Sequence, residues 1–322
     1  MDVVAIGELL IDFTFKSADQ EGYPTMEAHP GGAPANFLAA LNSCGYQTAM
    51  LGKVGNDTFG KLLLNTLQKA GIETKGMIVS EDVFTTLAFV TLDESGDREF
   101  SFARKPGADT RITFEELDLS LVEESRVLHF GTLSLTDEPA RSATCQLVEY
   151  AEKQGKLITY DPNLRKPLWK DLEDAKEQML WGLKHADVVK ISDEEVEFLF
   201  GLDPKAGAGY ILDHYDVKLV FVTCGAKGCY VQNKTAGGHV DGLADICVAD
   251  TTGAGDIFGG SAVAQLLKYE KSPEELNWEQ LHQIVSFACT AAGLSTQKPG
   301  GISSVPALGE IRERQSRSYS IR

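Results

Sequence analysis

Two stretches of this chain pair glycine with residues able to handle a phosphate. Residues 55–62 read GNDTFGKL, with Gly55, four residues, then Gly60 and Lys61, after the apolar run TAMLGKVG. The outline is that of a phosphate-binding loop. Such a loop needs a hydroxyl after the lysine to hold the magnesium ion between the outer phosphates, and Leu62 stands there instead. The run from Lys61, KLLLNTLQKAG, repeats apolar residues at Leu63, Leu64, Leu67 and Ala70, the buried stripe of a helix. The stretch reads as a strand-to-helix connection. Residues 249–261, ADTTGAGDIFGGS, run into the helical AVAQLLKY, so Gly253, Ala254 and Gly255 fall where a turn becomes a helix N-terminus. Small residues there let a ligand approach the backbone, and unpaired N–H groups at the positive end of the helix dipole favour an anion. Asp256 comes at once after them. A carboxylate beside an anion-binding turn opposes simple binding, yet it suits a base taking a proton from a hydroxyl that attacks the phosphate. An Asp in a first turn also stabilises the helix dipole with no chemistry at all. Spacing leaves both readings open.

Whatever carries these turns must be an alternating α/β framework. Short apolar runs (VVAIG, TAMLGKVG, VLHFG, KLITYD, DVVKIS, KLVFVTCG) alternate with stretches of helical period (NFLAALNSCG, ARSATCQLVEYAEKQG, DAKEQMLWGLKHA). That alternation predicts a mainly parallel sheet covered by helices on both faces, with near-continuous apolar strands buried on both sides. Two segments break the rhythm. IDFTFKS (11–17) comes directly after the first strand, and residues 85–104 read as two strands joined by a turn at Ser95-Gly96-Asp97. Together they predict a small β element off the main sheet, either a flap over a ligand at the carboxyl ends of the strands or a hairpin of no function.

With 322 residues, 43% apolar and 24% charged, the chain is long enough for a large core and has the make-up of an ordinary globular protein. Thirty basic against 47 acidic residues give a net charge of −17, which argues against nucleic acid or an anionic membrane as partner. The start, MDVVAIGELLIDF, has no basic region before its short apolar run, so no secretory signal is expected and the cytosol is the expected compartment. Six cysteines show neither CxxC pairs nor histidine at metal-ligand spacing, and each is expected to be a buried, reduced thiol.

DTTGAGDIFGGS, together with GGAPAN at 31–36, resembles the two signatures of the ribokinase-like carbohydrate kinases, the PfkB family, each at the expected end of the chain. The resemblance implies one ribokinase-like domain over residues 1–322. This would be a three-layer α/β/α sandwich with a mainly parallel central sheet and a β lid at about 11–30 and 84–106. The implied activity is transfer of the ATP γ-phosphate to a sugar hydroxymethyl group. Asp256 would be the catalytic base, with Gly253, Ala254 and Gly255 forming an anion hole by their amides. Asp12 would accept hydrogen bonds from sugar hydroxyls, and Gly31, Gly32 and Asn36 would approach the sugar. In YDPNLR, Arg165 would lie near the transferred group and Asn163 beside it.

The same resemblance assigns Glu195 of KISDEEVEFLFG to magnesium through water. Ser192 stands where the family has Asn, and it would contact the nucleotide or simply cap a helix. Thr223, Gly225 and Gly228 of VTCGAKGCYV would contact the nucleotide. A monovalent cation such as potassium would take oxygens from Asp250, Thr252, Ser295, Gly300 and Ser304. The lid segment DREFSFARKPGAD resembles fructokinases more closely than ribokinases or adenosine kinases: Arg104 would reach toward the sugar or its bound phosphate and Phe102 would cover an apolar face, although Ala103 replaces the usual aromatic. The implied enzyme is an ATP-dependent fructokinase acting on the 6-hydroxyl of D-fructose, using Mg2+. The alternatives are a 2-keto-3-deoxygluconate kinase, a ribokinase, or a catalytically silent sugar sensor. A homodimer pairing through the lid is expected.

Overall fold

The computed structural model describes residues 1–92 and 98–319. Nine of its strands form one sheet in the spatial order Gly237–Val240, Cys229–Asn233, Leu219–Thr223, Val188–Ser192, Leu157–Asp161, Val127–Gly131, Val3–Ile6, Thr48–Gly55 and Met77–Ser80. Cys229–Asn233 pairs antiparallel with both of its neighbours, Gly237–Val240 and Leu219–Thr223, and every other pairing in the sheet is parallel. Side chains on a strand alternate between faces, and both faces are apolar here. Val4, Ile6, Leu128, Phe130, Val189 and Ile191 belong to one core, while Val3, Ala5 and Val127 belong to another on the opposite face. Helices Ala140–Lys153 and Leu172–His185 cover the first face, through Leu147, Val148, Met179 and Leu183. Helix Ala33–Ser43 covers part of the second, and Ala254–Leu266 with Trp278–Ser295 cover the rest. The result is the three-layer α/β/α arrangement the alternation predicts.

A second sheet of four strands has the order Pro24–Gly31, Leu10–Ala18, Leu87–Leu92 and Arg98–Ala103. Leu10–Ala18 pairs antiparallel with Pro24–Gly31 and parallel with Leu87–Leu92. The sequence pattern misses Pro24–Gly31 as a strand because Pro24 and Pro30 break it. Both are tolerated because this strand is an edge, where a missing N–H costs no ladder bond. The expected turn at Ser95-Gly96-Asp97 lies outside the described residues.

Helix Ala33–Ser43 and helix Ala254–Leu266 approach closely, since a side chain at Gly260 would collide with the Phe37 carbonyl. This contact sets Asn36 against the start of the second helix. All six thiols are free, but the expected burial holds for only two of them: Cys229 and Cys289 are buried, Cys44, Cys145 and Cys224 are half-buried, and Cys247 is exposed, on the loop before that helix. No helix among the described residues is long and apolar enough to cross a membrane.

Candidate active site

At the carboxyl ends of the parallel strands lies a cleft of about 1210 Å³. Its walls come from both sheets: Asp12 from the second strand, Phe102 and Val90 from the outlying hairpin, Arg165, and Asp256. A second, more apolar pocket of about 540 Å³ adjoins it, and the two share Thr251 and Gly255. The N-terminus of helix Ala254–Leu266 stands between them.

That N-terminus is open. Gly253, its N-cap residue, has φ 74°, a left-handed conformation that glycine adopts without steric cost, and no side chain caps the helix. Of the first-turn amides, that of Ala254 donates to the Thr251 carbonyl at 3.3 Å, and those of Gly255 and Asp256 lie ahead of the intrahelical ladder without an acceptor in it. Asp256, three residues into the helix by the cap count, is buried, and its carboxylate accepts hydrogen bonds from Asn36 Nδ2 at 2.8 Å and Asn163 Nδ2 at 3.5 Å. Burial raises its pKa above the ordinary carboxylate range, while the Asn36 bond and the charges of Lys190 and Arg165 pull it down. It is a carboxylate made more basic by burial yet kept in reach of cations. Such a group can take a proton from a hydroxyl placed in the cleft.

Asn163 holds a positive φ of 46° at the bend after strand Leu157–Asp161, and this bend brings Arg165 to the cleft wall. The bend is braced from beneath by Glu195, whose carboxylate accepts from Leu164 N at 2.7 Å and Ser192 N at 2.8 Å. Ser192 returns a bond, its Oγ accepting from Glu195 N, so the pair forms a capping box for helix Asp193–Phe200. Of the two readings of Ser192, the structure shows the helix cap, and the residue lines neither pocket. Glu195 is likewise turned into the protein, and the neighbouring Glu194 lines the cleft.

On the other wall, Asp12 lies beside Gly31, where any side chain would strike its carboxylate. Burial pushes the Asp12 pKa up to about 7, with Arg165 pulling it down and Asp256 and Asp250 adding to the rise. Gly32 caps helix Ala33–Ser43 without a side-chain bond. That helix start is served from outside by Glu8, whose Oε1 accepts from Ala33 N at 2.8 Å. Phe102 lines the cleft. Arg104 departs from its expectation. Its guanidinium is buried, donating to Asp109 at 2.8 Å, Thr136 Oγ1 at 2.7 Å and the Leu133 carbonyl at 2.8 Å, so it ties the base of the hairpin to the main body.

Thr223, Gly225 and Gly228 line the apolar pocket, with Val248, Phe258 and Ala292 opposite. The residues expected to serve a monovalent cation gather on two adjoining loops. Asp250 accepts from Thr252 N and Oγ1 through one oxygen and from Gly300 N through the other. Ser295 and Ser304 bond backbone carbonyls, those of Ala292 and Gly301, on the segment that Asp250 clamps.

The sequence profile described as pfkB family carbohydrate kinase matches residues 1–308. The chain belongs to that family. Among its relatives, a fructokinase-2 of Solanum lycopersicum is 39% identical over 313 residues, covering 96% of this chain and 94% of that protein. The solved structure of a Xylella fastidiosa fructokinase with bound ATP superposes with TM-score 0.90 at 28% identity, covering 98% of this chain and 99% of the other. A Vibrio cholerae fructokinase in its fructose-, ADP- and calcium-bound form superposes with TM-score 0.86 at 29% identity, covering 97% and 98%.

For this carbohydrate kinase, the donor set fits a magnesium ion that arrives with its nucleotide. No cluster of three His, Cys, Asp or Glu suited to a metal occurs among the described residues. Magnesium in phosphoryl-transfer sites is commonly held by one or two carboxylates, water and the phosphates themselves, and Glu194, which lines the cleft, is the carboxylate that would serve it, while Glu195 is buried behind it on the same helix. Two residues of the kinase escaped the sequence reading. Glu8 is an acid in the fully buried run from Val3 to Ile11, and Lys190 is a cation inside the apolar strand VVKIS. A charge in a stretch buried on both sides was the signal for each.

Proposed function

We propose that this kinase is an ATP-dependent fructokinase that transfers the γ-phosphate to the 6-hydroxyl of D-fructose. The observation that carries the reading is the uncapped helix N-terminus at Gly253, with Asp256 on its first turn facing the cleft and an apolar pocket on its other side. ATP lies with its base in the apolar pocket, against Thr223, Gly225 and Gly228, and its phosphates reach over Gly255 into the cleft. Fructose binds between Asp12, Asn36 and Phe102. Asp256 takes the 6-hydroxyl proton as that oxygen attacks, and the amides at 253–255 with Arg165 offset the charge on the phosphoryl group. Asn36 and Asn163 hold the Asp256 carboxylate toward the hydroxyl. Glu194 would hold, through water, the magnesium that arrives with ATP, and that ion would supply neutralisation of phosphate charge.

The sheet built from Leu10–Ala18, Pro24–Gly31, Leu87–Leu92 and Arg98–Ala103 is the lid, and it excludes water so that ATP is not hydrolysed. Potassium beside Asp250, Thr252, Ser295, Gly300 and Ser304 would stiffen the loop that carries the anion hole. Phe15 and Tyr23, 42% and 66% exposed on the lid strands and their connection, support a homodimer joined through the lids. The compartment is the cytosol, where free thiols stay reduced.

The test is the initial rate of ADP release with Mg-ATP and fructose, ribose, 2-keto-3-deoxygluconate, fructose 6-phosphate or adenosine. Fructose is expected to be the fastest, by a factor of about 10 or more over the next sugar, the discrimination that one well-placed polar contact gives. Fast turnover only on the acid or on ribose would replace the sugar and leave the chemistry, and no turnover on any of them would remove the kinase reading. In the same preparation, light scattering is expected to give twice the 34.9 kDa chain mass.

A further inference from the structure

We propose that Lys190 is a catalytic residue of this kinase, its ammonium contacting the phosphoryl group during transfer, and that Asp161 is the positioning residue that aims it. The inference rests on the kinase reading above and extends its machinery by one cation. Lys190 lies in strand Val188–Ser192, in the middle of the main sheet. Its Nζ donates to Asp161 Oδ2 at 2.9 Å, at the end of the adjoining strand. The ammonium also lies directly beneath the anion-hole turn: a methyl group on Gly255 would come within 3.0 Å of Nζ. Both Lys190 and Gly255 line the cleft that holds Asp256.

Burial of the ammonium lowers its pKa, but Asp161, Glu195 and Asp256 outweigh burial and hold it above its ordinary value. Lys190 therefore carries its charge at neutral pH. A buried ion pair gains little stability over an apolar pair of the same volume, so stability alone is a poor reason for one beneath an active site. The strand supplies a second argument. Residues 190 and 192 share a face of it, and the hydroxyl of Ser192 is used to cap the next helix, leaving Lys190 as the polar group that this strand presents to the cleft.

The step balances with Lys190 as a fixed charge. The bond from the sugar oxygen to the γ-phosphorus forms while the bond from that phosphorus to the ADP oxygen breaks, and the hydroxyl proton goes to Asp256. Lys190 neither gains nor loses a proton. It offsets negative charge on the equatorial oxygens from a rigid strand, where Arg165 acts from a loop.

The test compares Lys190→Met, Lys190→Arg and the double variant Lys190→Met/Asp161→Asn with the parent. Lys190→Met is expected to lose between about 100- and 1000-fold in kcat, the loss seen when one preorganised donor to a developing charge is removed. Its KM for sugar and its Kd for ADP should stay within about threefold, because the contact is made in the transition state. Affinity for ADP with magnesium and aluminium fluoride in the presence of sugar should fall by about the same factor as kcat. Lys190→Arg should recover part of both.

The double variant separates chemistry from folding. It removes a buried ion pair without stranding a charge, so a purely structural role predicts turnover returning to within about tenfold of the parent, whereas the proposal predicts turnover as low as in the single variant. Recovery in the double variant, or parental affinity of Lys190→Met for the fluoride complex, overturns the assignment. A parent that turns over while Lys190→Met stays within about fivefold removes Lys190 alone. A parent that phosphorylates no sugar removes the kinase reading, and this inference with it.

Discussion

The two glycine-bearing turns, GNDTFGKL and DTTGAGDIFGGS, each lead into a helix and each carry an aspartate, yet they are opposites in what they leave unsatisfied. In the first, Asp57 is the N-cap of helix Thr58–Lys69. One oxygen accepts from Phe59 N at 2.9 Å and Gly60 N at 2.8 Å, and the other accepts from Thr85 N at 2.8 Å. Its glycine spacing serves packing, since a side chain at Gly60 would collide with the Gly55 carbonyl. In the second, Asp256 lies inside the helix, two positions beyond its first residue, and turns to Asn36 instead of to its own N-terminus. The difference teaches that glycine spacing does not make an anion site. A helix start whose amides already have a carboxylate acceptor repels a second anion, and one left uncapped is ready for it.

The largest effect is expected from taking the second turn's aspartate away. Asp256→Asn should keep the Asn36 side of the site and the binding of both substrates, and lose kcat by about 10²- to 10⁴-fold, the range for a general base. Near-parental turnover would leave Asp256 as a dipole-stabilising first-turn residue, the reading its position shares with chemistry. The pH profile sharpens the same point. Catalysis needs the ionised carboxylate, and burial raises its pKa, so activity should be lost as pH falls through a value above the usual carboxylate range near about 4. Asp12, pushed up to about 7, adds a second acid limb that appears in KM for the sugar. A profile of kcat/KM that stays flat down to the ordinary carboxylate range would contradict both.

Much of this was legible in the sequence for identifiable reasons. The parallel sheet was readable because strands buried on both faces are continuous apolar runs, and the second turn was readable because only small residues allow a backbone to meet a ligand. What was not legible depended on which of several possible partners a side chain chose. Arg104 carries a permanent charge in either environment, and only the nearby Asp109, Thr136 and Leu133 carbonyl decide that it faces inward. Ser192 and Glu195 match a phosphate-site pattern and a capping box equally well, three residues apart in each case. Strand Pro24–Gly31 was hidden by its two prolines, which an edge position permits.

The smaller effects come from the first turn. Asp57→Ala removes the acceptor of three backbone amides, and the expected cost is about 1–2 kcal/mol of stability, read as a lower melting temperature, with kcat unchanged. A fall in kcat without a fall in stability would mean that this turn communicates with the cleft. Smallest of all is Lys61→Ala. Lys61 is exposed, on a helix whose N-terminus is already closed by Asp57, so its charge has no phosphate to serve. Turnover should stay within about twofold and stability within about 0.5 kcal/mol, as for a surface substitution away from any special feature. A collapse of turnover in this variant would show that a phosphate reaches the first turn despite its carboxylate cap. In that case amide satisfaction could not be what separates the two turns, and the contrast between them would have to be sought in residues further along each helix.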